Sequence, residues 1–306
     1  YEYMLLAFSN CLEFNNVLVP YVYSMNKVES AFSLHEYLHR QVYVENNVWG
    51  VKYGRGTFIK CCEQVRQGKL YGKAPFERLY EVRKTVKSNR RKGKDRIISR
   101  NIPVSSSIES RVVHSYQDLA SGKGNVMLLS KSSSDLSILD KDSVDAVITD
   151  PPYYDNVVYS GLSDLYFSWL RIALSKTYDS FDLPETPKSE EIVVNHKIEG
   201  KDESNYLDGL TKVFRECYRV LKTNGLMVFT FHHTNSKAWS SILQAVLDAG
   251  FYVVSSWPVH SESRTYAHVQ GKKAILFDVV LALRKRVSDG QQVEWSDLAR
   301  LIEKKA

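Results

Sequence analysis

The stretch Val144-Asp145-Ala146-Val147-Ile148-Thr149-Asp150-Pro151-Pro152-Tyr153-Tyr154-Asp155-Asn156-Val157 decides the fold. Val147 and Ile148 are β-branched with apolar neighbours, the pattern of a strand covered on both faces. Pro151 and Pro152 lack a backbone N–H, so they end the hydrogen-bond ladder and stiffen the loop behind it. Asp150, Tyr153, Tyr154, Asp155 and Asn156 are thereby placed at the carboxyl end of a strand, the edge at which open α/β sheets bind ligands.

The order of these residues suits one kind of chemistry. The exocyclic amine of a nucleobase conjugates into its ring and is a poor nucleophile. A carboxylate and a rigid carbonyl that accept its two protons push the nitrogen towards tetrahedral geometry and expose its lone pair. An aromatic ring beside them stacks on a base turned out of the duplex. Asp150, the Pro151 carbonyl and the Tyr153 ring are these parts, and Pro152 helps to fix the loop in advance. A strand-to-loop turn whose aspartate merely caps a helix is the plainer alternative for the tetrapeptide taken alone.

Asp150-Pro-Pro-Tyr153 resembles the catalytic motif of S-adenosylmethionine-dependent amino-methyltransferases. The longer runs DPPYYDNVVYSGLSDLYFSWLR (150–171), RVLKTNGLMVFTFHH (219–233), AFSNCLEFNN (7–16) and ENNVWGVKYGRGTF (45–58) are similar to the large adenine-specific DNA methylases of bacteria and archaea. The resemblance implies an α/β fold with a class I, Rossmann-like methyltransferase sheet. This chain would hold the catalytic half (121–306), preceded by a mainly helical region (1–120) that contacts the DNA target. It also implies methyl transfer from S-adenosylmethionine to the exocyclic amine of adenine in DNA. Asp150, Pro151, Pro152 and Tyr153 would be catalytic, with Tyr154, Asp155, Asn156, His232 and His233 around the substrate. Asp rather than Ser before Pro-Pro-Tyr leans towards adenine. Transfer to cytosine, RNA or a protein glutamine is the enzymatic alternative. A DNA-binding subunit that kept the fold and lost the cofactor half is the non-enzymatic one.

Composition agrees with such a partner. The 306 residues are 43% hydrophobic and 25% charged, with a net charge of +6 that weakly favours nucleic acid. No apolar run is long enough for a membrane span, and no signal peptide follows Tyr1, so a cytoplasmic, processed fragment is expected. Cys11, Cys61, Cys62 and Cys217 form no C-x-x-C pair and suit unpaired thiols in a reducing compartment.

Before residue 120 the periodicity predicts helices through Met4, Leu5, Phe8 and Leu12, through Phe32, Leu34, Tyr37 and Leu38, and over 76–87. The glycine-rich run Trp49–Phe58 reads as a structural turn, or else as a cofactor cradle. Arg90, Arg91, Lys92 and Lys94 lie in a basic run that could track a DNA backbone or stay a solvated loop. Asn125–Leu129 reads as a buried strand followed by Ser130 and Ser132, which with Asp150 are the cofactor contacts expected here. No strand followed by a Phe-x-Gly-x-Gly-like turn is found, so the cofactor half is expected upstream or on another subunit.

Beyond the catalytic loop, Trp169 lies on an apolar helical stripe and is expected in the core. Ser175–Glu203 reads as a lid or surface loop. A helix through Tyr206, Leu210, Val213, Cys217 and Leu221 should close at Asn224-Gly225, and Leu226–Phe231 should be a buried strand ending at His232 and His233. Neighbours on a strand point to opposite faces, so no metal is expected there; one histidine should line the pocket and the other should pack or cap. Strands at 251–254 and 274–283, a pocket wall at Trp257–Glu262 and a helix over 291–304 complete the expectation.

Overall fold

A computed structural model describes residues 1–33, 43–83, 96–104, 109–260, 277–286 and 300. The chain divides into two units, one of Tyr1–Val112, Gly122–Val126 and Ser160–Thr186, the other of Val113–Ser121, Met127–Tyr159 and Pro187–Ala306. In chain order the elements are α1 (Glu2–Leu12), β1 (Tyr21–Val22), β2 (Lys27–Val28), α2 (Phe58–Lys73), β3 (Phe76–Arg83), β4 (Arg96–Pro103), β5 (Val112–Val113), α3 (Tyr116–Ala120), β6 (Val126–Met127), β7 (Val144–Thr149), α4 (Tyr159–Leu174), α5 (Glu203–Val220), β8 (Leu221–Phe231), α6 (Ser236–Asp248), β9 (Phe251–His260) and β10 (Phe277–Lys285).

In the first unit α1 packs on α2 through the small residues Ala7, Cys11 and Cys61. Met4 is half-exposed, so the buried stripe falls on Ala7, Cys11 and Leu12. The run Trp49–Phe58 is a capped turn. The Thr57 hydroxyl donates to the Gly50 carbonyl at 2.6 Å and its oxygen caps α2. Gly56 has φ +61° and a Cβ there would lie 2.1 Å from Phe14, so packing and backbone both demand glycine. The segment expected as a helix over 76–87 is instead the strand β3 for as far as it is described, paired antiparallel with β4. Phe, Tyr, Leu and Val favour a pleated surface, and cross-strand pairing overrides a spacing that also fits a helix. Trp169 is a second correction: it is half-exposed, its ring edge-on to Phe8 at 6.0 Å. Arg90, Arg91, Lys92, Lys94 and residues 34–42 lie outside the described residues.

The second unit is built on a four-stranded sheet of order β7-β8-β10-β9. β7 and β8 are parallel; β10 is antiparallel to both β8 and β9. β8 alternates buried and partly exposed residues from Gly225 to Phe231. The amphipathic helix α5 sets Tyr206, Leu210, Phe214 and Cys217 at helical spacing, and Phe214 stacks on Phe229 at 5.6 Å. Helix α6 buries Ala238, Ile242, Ala245 and Val246 and packs on α5 and β9. Asp202 and Asn235 cap the two helices by accepting backbone N–H bonds.

Several expectations change here. β7 is not covered on both faces: Val147 packs against the core, while Ile148, on the opposite face, is 83% exposed. Asn125–Leu129 contains only the two-residue strand β6, and Leu128 is exposed. α5 ends at Val220 and the chain enters β8 at once. Asn224-Gly225 lie in the irregularity where Val144 pairs Leu221 and Ala146 pairs Leu226. Trp257–His260 belong to β9, whose outer position tolerates Pro258. Residues 261–276 and the expected helix over 291–304, apart from Arg300, lie outside the described residues.

Candidate active site

β7 and β8 run parallel with Thr149 opposite Phe229, so Thr230 stands next to Asp150 where both strands end. The Thr230 hydroxyl donates to Asp150 Oδ1 at 2.6 Å, and the Tyr153 hydroxyl donates to Thr230 Oγ1 at 2.9 Å. One relay therefore joins the first and last residues of the Asp-Pro-Pro-Tyr loop. Burial pushes the Tyr153 phenol well above its ordinary value, and the Asp150 carboxylate adds to the rise, so the phenol stays protonated and can donate. The Tyr153 ring is edge-on to Phe231 at 5.2 Å and to His232 at 4.9 Å.

A second set of bonds fixes the middle of the loop. The hydroxyl of Tyr206, fully buried on α5, donates to the Pro152 carbonyl at 2.6 Å and accepts from the Tyr154 N–H at 3.3 Å. Tyr154 takes φ +58°, rare for a bulky residue, and is 3% exposed. It packs in the core and not in a pocket, since the left-handed backbone turns its ring onto Tyr206. Asp155 accepts from His233 Nε2 at 2.8 Å. His233 Nδ1 accepts from the Asn235 N–H, which assigns the ring proton to Nε2. His232 Nδ1 pairs with Asp278. Each histidine thus has its own carboxylate; His233 is buried and His232 partly exposed. The Asn156 N–H closes a turn on the Tyr153 carbonyl at 3.0 Å.

Asp150, Pro151, Pro152 and Ser132 line one cavity of about 660 Å³, together with Ile148 and Glu191. Ser130, Tyr153, Tyr154, Asp155, Asn156, His232 and His233 are not among its lining residues. The loop before α5, read from sequence as a lid or surface loop, contributes Glu190, Glu191 and Ile192 to this wall. Lys201, 6% exposed, holds it by donating to the carbonyls of Ser189 at 2.9 Å and Glu191 at 2.5 Å. Among the described residues no three His, Cys, Asp or Glu side chains converge as a metal site.

Residues 144–285 match the family model for DNA methylases. This stretch contains the whole sheet, the Asp150–Tyr153 loop and Thr230. The search of curated proteins finds no match. Among solved structures the chain is similar to a protein of Thermus thermophilus, provisionally described as a DNA modification methylase. Its selenomethionine form gives 17% identity and a TM-score of 0.28, covering 53% of each chain. The form complexed with S-adenosyl-L-methionine gives 16% and 0.30, covering 53% of this chain and 54% of that one. A third structure gives 16% and 0.29, covering 54% and 56%. The chain thus spans about half the length of the structures it matches.

Sequence reading missed three residues of the methylase stretch: Thr230, Tyr206 and Lys201. Thr230 was legible only as a residue of a strand expected to be buried, Tyr206 only as part of an apolar stripe, and Lys201 not at all. Their partners lie 80, 54 and 10 to 12 residues away in the chain.

Proposed function

We propose that the methylase stretch transfers a methyl group from S-adenosylmethionine to the exocyclic amine of adenine in DNA, on a class I methyltransferase sheet. The observation that carries this reading is the Asp150 carboxylate, fixed by Thr230 beside the Pro151 carbonyl in a loop stiffened by two prolines. Such a pair accepts both protons of an exocyclic amine and exposes the nitrogen lone pair. The sheet order, with an antiparallel hairpin beyond two parallel strands, supports the fold.

The cavity beside Asp150 has the size of a small-molecule site, about 300–1,000 Å³. Its residues fit an adenosyl cofactor: Ile148 and Phe214 give an apolar wall, while Ser132, Asp150 and Glu191 give polar and anionic groups on its rim. When bound there, the cofactor supplies an activated methyl group on a sulfonium. Asp150 and the Pro151 carbonyl orient the amine, Tyr153 offers its ring to the extruded base, and Tyr206 keeps the loop from relaxing. The methylated nitrogen is acidic enough to shed its proton without a strong base.

The test is nucleoside analysis of DNA and RNA treated with the 306-residue chain and cofactor. N6-methyladenine in DNA, absent with Asp150→Ala while DNA binding is kept, is the expected result. N4-methylcytosine or methylated RNA would overturn the adenine assignment, and retained methylation by Asp150→Ala would overturn the mechanism.

A further inference from the structure

β3 and β4 form a two-stranded antiparallel ribbon with no third strand among the described residues. Both faces are open to solvent: Leu79 is 40% exposed and Tyr80 63%. A lone ribbon of this kind is marginally stable in water, so it gains from whatever covers it. Charge identifies the cover. The segment Phe76–Pro103 carries ten lysines and arginines against three acidic residues, a net charge of +7. The whole chain carries +6, so everything outside this segment sums to −1. The positive balance of the protein therefore resides in this segment, +2 on the two strands and +5 on the residues that join them.

The two faces differ. The register pairs Glu77 with Ile102, Leu79 with Arg100 and Glu81 with Ile98, so both glutamates share one face. On that face Arg100 is neutralised by Glu81 at 3.2 Å. The opposite face pairs Arg78 with Asn101 and Tyr80 with Ser99. No carboxylate shares that face between Phe76 and Tyr80, and Arg78 forms no ion pair among the described residues. Arginine, asparagine, tyrosine and serine are the side chains that meet phosphate oxygens and base edges, and a two-stranded ribbon fits the major groove of B-form DNA.

From this geometry we infer that the β3–β4 ribbon is a DNA-gripping arm that presents Arg78, Tyr80, Ser99 and Asn101 to a duplex groove. The inference rests on duplex DNA as the substrate class and adds the surface that reads it. Arg78 and Asn101, directly opposed, form a fork able to reach adjacent base pairs.

The experiment is fluorescence anisotropy of the 306-residue chain on a labelled duplex of random sequence, titrated with potassium chloride and without cofactor. Arg78→Ala and Asn101→Ala should each weaken binding by about tenfold, with circular dichroism unchanged. Arg78→Ala should also lower the salt slope by about one. Glu77→Gln, on the other face, should bind as tightly as the parent or tighter. Arg78→Lys should restore the salt slope without restoring full affinity, since lysine keeps the charge and loses the fork. Unchanged affinity in both alanine variants would overturn the inference, as would a parent chain that does not bind duplex at low salt. If those variants instead turn a dimer into a monomer in sedimentation while DNA affinity holds, the face joins copies of the chain and the inference falls. Because the assay contains no cofactor, failure of the methyl-transfer reading leaves its result intact.

Discussion

Asp150 carries two carboxylate oxygens, and the Thr230 hydroxyl occupies one of them at 2.6 Å. That bond fixes the rotamer and directs the other oxygen's free lone pairs. A hydrogen bond to a charged group contributes about 1.5–3 kcal/mol, so Thr230→Val should lower kcat by roughly ten- to a hundredfold with KM little changed. Thr230→Ser keeps the donor and should restore most of the activity; a loss in Thr230→Ser with Thr230→Val unimpaired would show that the methyl group, not the hydroxyl, matters. Tyr153 makes the matching comparison. Tyr153→Ala removes both ring and hydroxyl, whereas Tyr153→Phe removes only the donor to Thr230. Steady-state kinetics should find the phenylalanine variant the milder of the two. The tetrapeptide itself was legible in the sequence because its stiffness is covalent and its ends are set by proline. The Thr230 contact was not, because it depends on the register between β7 and β8.

The elements differ sharply in how much they commit to the core. Phe214 on α5 is 1% exposed and stacked on Phe229, so Phe214→Ala should destabilise the protein by about 3–5 kcal/mol in urea unfolding. Ile148 on β7 is 83% exposed, and Ile148→Thr should stay within about 0.5 kcal/mol of the parent. A large loss at Ile148 would mean that this face of β7 is covered in solution. From sequence the two residues look alike, both apolar within strongly periodic elements. α5 was readable because one helix face packs on its own sheet. β7 was misread because a strand's burial depends on what packs on each of its faces, which its own composition does not state. β3 shows the same limit in another form: aromatic and branched residues three and four apart fit a helix face, and only pairing with β4 decides for a strand.

At the scale of the molecule, several buried acids share one direction of shift. Burial pushes the Cys217 thiol up to about 11 from an ordinary 9.0 and raises the phenols of Tyr206 and Tyr153 well above theirs. In the unfolded chain these groups lose their protons at lower pH, so the unfolded state binds fewer protons there and folding stability falls as pH rises. For Cys217 the loss is spread between pH 9.0 and about 11. Urea midpoints followed upward from neutral pH should hold until about pH 9 and then drop; a flat profile through that window would contradict neutral burial of these groups. What the sequence determined by itself was local: the strand-to-proline loop, the amphipathic stripe of α5, and the concentration of positive charge between residues 76 and 103. Each follows from bonds and periodicities within one segment. What only the tertiary structure decided was non-local. It set the order β7-β8-β10-β9, the placing of Thr230 and Tyr206 on the catalytic loop, the private carboxylate of each histidine, and the solvent-facing ribbon that flanks the basic run. The physical reason is that hydrogen bonds and burial are settled between residues distant in the chain, and no single segment records the identity of its partners.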